Sequence, residues 1–206
     1  MRKINKGIPF NDFTHYVEAN QPTDWGQLPG NVSYDTRCYI LINEQDGICG
    51  YTELCLSDND SHIDHYVKRS IDSSKIFIWD NLIVASVDED FGAKYKDNGY
   101  RIKANEYFEI FNPVVDHVEY YCYFLTNGEI YPRKNISPST YVKMQRTIEV
   151  FNLNHPSLKS RRANVIQNVH NYFEGGIELK KIFIYLKDMG FHSVILQELK
   201  IIEETV

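Results

Sequence analysis

Two histidines and an aspartate fall within four positions of the segment SHIDHYVKRS, residues 61–70: His62, Asp64 and His65. Hydrolysis of a phosphodiester by water needs a general base and a cation that offsets negative charge on the phosphate. Histidine suits the first role because its pKa lies near neutrality, and a carboxylate suits the second because hard cations take oxygen ligands. The adjacent Asp64–His65 pair therefore fits a metal ligand beside a base, although two residues taken alone are better explained as an exposed polar strand end.

The segment around this pair is predicted to be a strand, in which alternate side chains point to opposite faces. His62 and Asp64 share one face and His65 takes the other, so a bend is needed to bring Asp64 and His65 to one site. The apolar segment KIFIWDNLIVAS that follows predicts a buried strand or a short buried turn. Farther along the chain, Asn127-Gly128 between aromatic-rich segments predicts a two-residue hairpin.

The remaining patterns predict an α+β fold with a mixed front region, residues 1–135, and a helical C-terminal region, residues 136–206. Three prolines predict irregular structure over residues 1–32. A helix is predicted over YDTRCYILINEQDG, with Asp35 as its cap and Gly47 at its end. Successive helical patterns fill the second region.

The composition of the 206-residue chain, with 43% hydrophobic and 24% charged residues, is typical of a globular protein. No apolar run is long enough to span a bilayer and no apolar segment follows the basic N-terminus, so the expected location is the cytoplasm. The four cysteines match no zinc ribbon and are expected to be free, buried thiols. A net charge of −6 argues against a protein that coats DNA unaided, but not against a nuclease with a local basic strip.

Asn81 follows His65 by sixteen residues, and Asp90 follows Asn81 by nine. This order resembles the HNH, or ββα-metal, nuclease finger. A series of segments narrows the resemblance to the HNH subunit of the Septu-type anti-phage systems, the PtuB family: MRKINKG, INEQDGICGYTE, HIDHY, WDNLIVAS, IFNPVVD, YFLTNGEIYP and RTIEVFNLNHPSLKSRR, in that order. The resemblance covers most of residues 1–162 and implies an HNH finger embedded in a mixed domain. It also implies a metal-dependent DNA endonuclease that acts in bacterial defence beside an ATPase partner, PtuA.

The resemblance further implies a role for each residue of the finger. His65 takes the place of the general base, and Asp64 takes that of the first ligand of a Mg²⁺ or Mn²⁺ ion. Asn81 takes the place of the central Asn, which holds the loop of the finger through backbone contacts. The third metal ligand is expected to be Asp90, with Asp88 as the alternative.

Other polar residues near the finger have less specific roles. His62 is expected to orient its neighbours from outside the metal shell, or to be structural. The candidates for contact with a DNA backbone are Lys94, Lys96 and Arg101, with Lys103 and the Arg161-Arg162 pair as further candidates. Ordinary solvated side chains are the alternative for each of these basic residues.

The finger of this family is usually held by a zinc knot made of two cysteine pairs. Only Cys49 stands at such a position, and Thr52, Ser86 and Phe91 occupy the other three. A hydroxyl group or a phenyl ring does not replace a thiolate as a zinc ligand. No structural zinc is therefore expected, and apolar packing by residues such as Phe91 is expected to take its place.

The expected function is an active metal-dependent endonuclease, and the alternative is a non-catalytic subunit that keeps the fold and binds the ATPase. Convergence of Asp64, His65 and Asp90 around an open polar cleft favours the first, whereas burial of His65 against apolar side chains favours the second. A zinc-binding transcription factor fails on the missing cysteines and the acidic charge. The amphipathic helices after residue 162 are expected to form part of the ATPase contact, unless their apolar residues only pack on one another.

Overall fold

The computed structural model describes residues 1–205 and has an α+β fold, mostly helical, with two small two-stranded antiparallel sheets. The α-helices are α1 Asn11–Asn20, α2 Gly30–Asn43, α3 Gly92–Lys94, α4 Pro138–Val150, α5 Pro156–Glu174, α6 Leu179–Leu186 and α7 His192–Thr205. α3 continues directly into a π-helical segment, Tyr95–Tyr100. The α+β class and the helical C-terminal half are therefore confirmed. Within residues 1–205, no helix has both the length and the apolar character needed to cross a bilayer.

The first sheet is formed by two short strands joined by a long loop. β1 Ser61–His65 pairs antiparallel with β2 Leu82–Ser86, and Asp64 lies opposite Ile83. β2 is buried along its whole length, since its sequence LIVAS offers small or apolar side chains to both faces. The chain then turns into α3, so that strand, loop, strand and helix follow one another within residues 61–100.

Alternate residues of β2 enter two different hydrophobic clusters. Ile83 and Ala85 belong to the larger cluster, while Leu82 and Val84 belong to a smaller one that includes residues of α1 and α2. β2 therefore lies between the two clusters, with one face packed against each. The larger cluster combines residues of the front region with residues from α4, α5, α6 and α7, so the two regions predicted from the sequence share one core.

The second sheet is a tight hairpin of β3 Cys122–Phe124 and β4 Ile130–Pro132. The sequence predicts this hairpin, and Gly128 at its turn has φ +78°, the left-handed conformation that glycine adopts without strain. A Cβ atom at Gly128 would collide with the backbone of α5 at Lys159. The hairpin and α5 therefore meet backbone to backbone, and only glycine leaves enough space for that contact.

Two sequence-based predictions of local structure are wrong in detail, and in a third both predicted alternatives occur in succession. Residues 1–32 are not irregular throughout, because α1 lies between two prolines, where neither ring interrupts its hydrogen bonds. α2 begins at Gly30 rather than at Asp35, directly after a proline that leads into its first turn. The segment KIFIWDNLIVAS is a strand only from Leu82 onward, and short 3-10 turns precede it.

Candidate functional site

An open cleft of about 600 Å³ runs along β1 and the loop that follows it. Its walls include His62, Asp64 and His65, together with Lys68 and Arg69. The three residues singled out by their chemistry thus reach one cleft, and the loop adds two cations beside them. Lys68 and Arg69 were not predicted as site residues, although they directly follow the HIDHYV segment.

The side chain of Asn81 closes the loop between β1 and β2. Its Oδ1 accepts a hydrogen bond from the Val67 amide at 2.8 Å, and its Nδ2 donates to the carbonyls of Val67 at 3.1 Å and Lys75 at 3.0 Å. An amide side chain can make these contacts at once because it is both an acceptor and a double donor. Asn81 is buried and therefore fixes the loop that presents Lys68 and Arg69 to the cleft.

The carboxylate of Asp64 is held from the interior of the protein. Its Oδ2 accepts hydrogen bonds from the Tyr51 hydroxyl and from the Lys96 ammonium, the latter at 3.0 Å. Lys96 belongs to the π-helical segment that continues α3, and it is fully buried. The helical element that follows β2 therefore brings a cation to the carboxylate on β1.

Four oxygen atoms surround the Lys96 ammonium, and we call them the Lys96 cage. Three accept its hydrogen bonds: Asp64 Oδ2 at 3.0 Å, the Tyr66 carbonyl at 2.9 Å and the His65 carbonyl at 3.2 Å. The fourth, Asp97 Oδ1, lies at 3.4 Å. Burial disfavours the charged form, but the carboxylates of Asp64 and Asp97 outweigh it and raise the pKa of Lys96 above its usual value. The ammonium is therefore protonated, and its three donors are all used.

The ring of His65 is buried against an aromatic side chain. It meets the Trp25 ring edge-on, with 4.8 Å between the ring centroids, and the residue is only 7% exposed. Nε2 lies 2.9 Å from the Ile76 carbonyl, so this nitrogen carries the proton and Nδ1 has the lone pair. Burial lowers the pKa of His65 to about 4, and the bond to Ile76 and the charge of Asp64 oppose only part of this effect. At neutral pH the imidazole is neutral and a weak base.

His62 lies two positions before Asp64 and opposite Ala85 in the sheet. It lines the cleft and also an adjoining cavity of about 350 Å³. Burial lowers its pKa, and its buried Nδ1 has no hydrogen-bond partner within residues 1–205. His62 therefore does not orient a neighbouring side chain through this nitrogen.

The predicted metal ligands are not assembled around a cation site. Asp90 is exposed and lies outside the walls of the cleft, and Asp88 is half-buried beside Ser86. In the described part of the chain, no group of three or more His, Cys, Asp and Glu side chains is arranged to hold a metal ion. The remaining predicted ligand, Asp64, is bonded to Lys96, whose positive charge would repel a divalent cation there. These residues therefore do not fit Mg²⁺ or Mn²⁺.

Two of the basic residues predicted to contact DNA are internal, and for them that prediction is wrong. The Lys96 ammonium is enclosed by its cage and has no exposed surface. Arg162 is buried, with its guanidinium donating to the carbonyls of Leu153 and Leu158. Both are buried and bonded to protein oxygens, so neither reaches a phosphate.

The other predicted cations lie at or near the surface. Lys94 is half-buried and pairs with Glu89 at 2.7 Å. Arg101 is exposed and lines a cavity that adjoins the cleft through Lys68. Of the three predicted primary contacts, Arg101 is thus the one best placed to extend the basic surface formed by Lys68 and Arg69.

The four positions expected for a zinc knot are buried: Cys49, Thr52, Ser86 and Phe91. The Ser86 amide donates to the sulfur of Cys49 at 3.4 Å, and the Phe91 ring lies 5.4 Å from the ring of His155. The four cysteines are free, as expected, but Cys55 is exposed and Cys38 is only half-buried. Apolar packing therefore surrounds the position that Phe91 occupies.

No protein-family model matches this chain, and no curated protein matches it. The cleft combines a neutral, buried imidazole with an internal cation and with the surface cations Lys68 and Arg69. This arrangement can bind an anion at its rim, whereas its histidine is poorly suited to take a proton from water.

Proposed function

We propose that this chain is a non-catalytic subunit with an HNH-like, ββα-metal type of fold, acting beside an ATPase in bacterial anti-phage defence. The order of β1, loop, β2 and α3 supports the fold relationship, and so do the backbone contacts of Asn81. In this proposal the cleft contacts a DNA backbone without cutting it, and the C-terminal helices contact the ATPase.

The burial of His65 is the observation that carries this proposal. A general base works best when its pKa lies near the operating pH, whereas the pKa of His65 is about 4. The ring is packed against Trp25, and its protonated nitrogen is bonded to the Ile76 carbonyl. An imidazole held in this way stays neutral at neutral pH and takes a proton from water poorly.

The Lys96 cage supports the same conclusion. The ammonium links the carboxylate on β1 with the helical segment after β2, and it is fully buried. Its three donors are used by the protein, so it cannot stabilise charge on a bound phosphate. The ion pair therefore contributes to folding and not to chemistry in the cleft.

Three surface cations support contact with DNA. Lys68 and Arg69 line the cleft, and Arg101 lines the cavity next to it. Each neutralised phosphate releases counterions, so a few local cations can hold a backbone even though the chain carries a net charge of −6. We expect this contact to be weak unless the partner supplies further cations.

Exposed apolar side chains on the C-terminal helices support contact with a partner. Ile184 and Tyr185 on α6 are 59% and 54% exposed, and Leu196 on α7 is 54% exposed. Large exposed apolar side chains often mark protein interfaces, because their burial by a partner is favourable. Part of the apolar surface of these helices is thus left uncovered by the chain, and we assign it to the ATPase contact.

A metal-dependent DNA endonuclease is the second candidate function, and the tautomer of His65 favours it. Because Nε2 donates to Ile76, Nδ1 keeps the lone pair that a general base requires, and His65 lines an open cleft. This function would require Asp64 to leave Lys96, which the burial of that ion pair opposes.

A plasmid cleavage assay separates the two candidates. The chain is incubated with Mg²⁺ or Mn²⁺, alone and with its ATPase partner and ATP, and wild type is compared with His65→Ala. We expect no cleavage above that of the partner alone, and no difference between the two proteins. Cleavage that needs the divalent cation and is lost in His65→Ala would reject the non-catalytic proposal in favour of the nuclease.

Co-purification with the ATPase tests the proposed interface. The double substitution of Ile184 and Tyr185 by serine should weaken the complex by about tenfold or more, because exposed apolar anchors dominate such contacts. Val142→Ser on α4, where the residue is 63% exposed, is the matched control and should bind normally. Undiminished binding by the α6 variant would assign the interface to another surface.

A further inference from the structure

We infer that the Lys96 ammonium is an internal cation that takes the place of the divalent metal ion in this ββα unit. The inference rests on the proposed fold relationship, but not on whether the cleft cuts DNA. It leads to a specific expectation: replacing Lys96 by a shorter, oxygen-bearing residue should turn the Lys96 cage into a site for a divalent cation.

The partners of Lys96 are chemically those of a hard cation. They are carboxylate oxygens of Asp64 and Asp97 and the backbone carbonyls of His65 and Tyr66. The distances from Nζ run from 2.9 to 3.4 Å, whereas Mg²⁺ and Ca²⁺ need oxygens at about 2.0–2.6 Å. The cage therefore has the ligand chemistry of a metal site at the spacing of an ammonium ion.

The location of Lys96 in the chain matches that of a missing metal ligand. The resemblance to the HNH finger implies a metal ion between Asp64 on the first strand and a third ligand that follows the second strand, expected at Asp90 or Asp88. Lys96 lies on the helical segment that continues α3, and it reaches back to Asp64. The helix thus supplies the cation itself where a ligand is expected.

The charge balance of the cage explains why a cation is needed there. Two carboxylates, Asp64 at 3.0 Å and Asp97 at 3.4 Å, face one ammonium. The rings of Tyr51 and Tyr66 lie 5.8 and 5.9 Å from Nζ and add further electrostatic attraction for a cation. Without Lys96 the cage would be a buried, negatively charged cavity, which a divalent cation would stabilise.

The inference is tested with three full-length proteins: wild type, Lys96→Asn and Lys96→Met. Mn²⁺ is the probe, its binding is measured by electron paramagnetic resonance, and stability is measured by thermal unfolding. We expect the thermal midpoint of wild type to be unchanged by Mn²⁺. Lys96→Asn should be less stable without Mn²⁺, should bind one ion per chain, and should gain about 5–10 °C at roughly one hundred times the dissociation constant.

Two matched variants identify the site of binding. Lys96→Met fills the cage with an apolar side chain of similar length, so it should be destabilised and should not recover with Mn²⁺. Adding Asp64→Asn to Lys96→Asn should abolish Mn²⁺ binding. The inference is overturned if wild type binds Mn²⁺ through Asp64, or if Lys96→Asn folds and binds no Mn²⁺.

A measurement on wild type decides the question if Lys96→Asn fails to fold. A buried ammonium with three acceptors should give a lysine resonance that exchanges slowly with water in ¹⁵N-detected spectra, and Mn²⁺ should leave it unbroadened. Rapid exchange, or selective broadening by Mn²⁺, would overturn the inference. Since no arm uses DNA cleavage, these results are independent of the plasmid assay that judges the proposed function.

Discussion

Lys6 and Lys96 are both buried beside a carboxylate, but their surroundings differ. The Lys6 ammonium donates to Glu44 and to the Leu82 carbonyl at 3.1 Å, and it lies 4.3 Å from the centroid of the Trp79 ring. The Lys96 ammonium is surrounded by four oxygens, two of them from carboxylates. Burial lowers the pKa of Lys6 despite Glu44, whereas the two carboxylates raise the pKa of Lys96.

The number and charge of the surrounding oxygens, rather than burial alone, therefore determine the direction in which the pKa of a buried lysine shifts. Glu44 also accepts hydrogen bonds from the Gly7 amide and the Trp79 indole, both at 2.9 Å, so Lys6 is one of several groups that fasten the N-terminal segment. Lys96 instead lies at the centre of its cage. Of the two lysines, Lys96 has the set of partners that a metal ion would need.

Removing the carboxylate beside Lys96 should give the largest loss of stability. Asp64→Ala leaves a buried ammonium short of a partner and the Tyr51 hydroxyl without its acceptor, so the free energy of unfolding should fall by about 3–5 kcal/mol. Urea unfolding measures this change. The double variant Asp64→Ala/Lys96→Met should lose less than Asp64→Ala alone, because it does not leave a fully buried ammonium without its bonded carboxylate.

The corresponding single and double substitutions at Glu44 and Lys6 provide the control. Glu44→Ala/Lys6→Met should recover little of the loss caused by Glu44→Ala, because Gly7 and Trp79 still lack their acceptor. Equal recovery in the two cycles would contradict the proposed difference between the surroundings of Lys6 and the Lys96 cage.

Asn81→Ala should destabilise the protein less than Asp64→Ala does. Its effect on local opening should be confined to the residues around the Lys96 cage. The substitution removes three hydrogen bonds from a buried position, so we expect a loss of about 1–3 kcal/mol in the free energy of unfolding. Hydrogen exchange should speed up at the amides of Tyr66 and Val67, near the cage, but not at Gly7, near Lys6. Uniform acceleration across the chain would indicate global destabilisation instead. Asn168→Ala on the exposed side of α5 is the control.

The smallest expected effect is a difference between Lys96→Met and Lys6→Met in how their stability changes at alkaline pH. The folded-state pKa of Lys96 is raised, so its contribution is present below about pH 10.5 and is lost as the pH rises above this value. The folded-state pKa of Lys6 is lowered, so the folded protein loses that proton first and stability from this group increases as the pH approaches 10.5. Lys96→Met should therefore lose less stability than Lys6→Met between about pH 10.5 and 12.

Titration of the buried tyrosines adds a similar loss to both lysine variants, so only the difference between the two is informative. Stability curves are measured by urea unfolding at each pH. Identical slopes for the two variants, or a steeper fall for Lys96→Met, would contradict the opposite pKa shifts.

Local sequence patterns predicted much of the fold, because strands, turns and helices depend on neighbouring residues. The alternation around Asp64 predicted β1, and Gly128 predicted the hairpin. The same alternation put Asp64 and His65 on opposite faces of the strand, yet both line the cleft at the end of β1. Asn81 was expected to hold the loop through backbone contacts, and its hydrogen bonds have that form.

The contacts in the interior of the site could not be predicted from local sequence patterns. Lysine is almost never fully buried unless it is paired, so Lys96 was predicted to be on the surface. Its partners Asp64, His65 and Tyr66 precede it by about thirty residues and belong to another element. The aromatic contact of His65 likewise comes from Trp25, in a segment that was predicted to be irregular.

The contact between Gly128 and α5 constrains how this protein can diverge. Because backbone meets backbone there, no series of slightly larger or smaller side chains can adjust the fit, and any substitution at Gly128 must move one element away from the other. Evolutionary change is therefore directed to the residues around the contact. A chimaera that takes its C-terminal helices from a relative should therefore fold only if its hairpin keeps glycine at the position of Gly128.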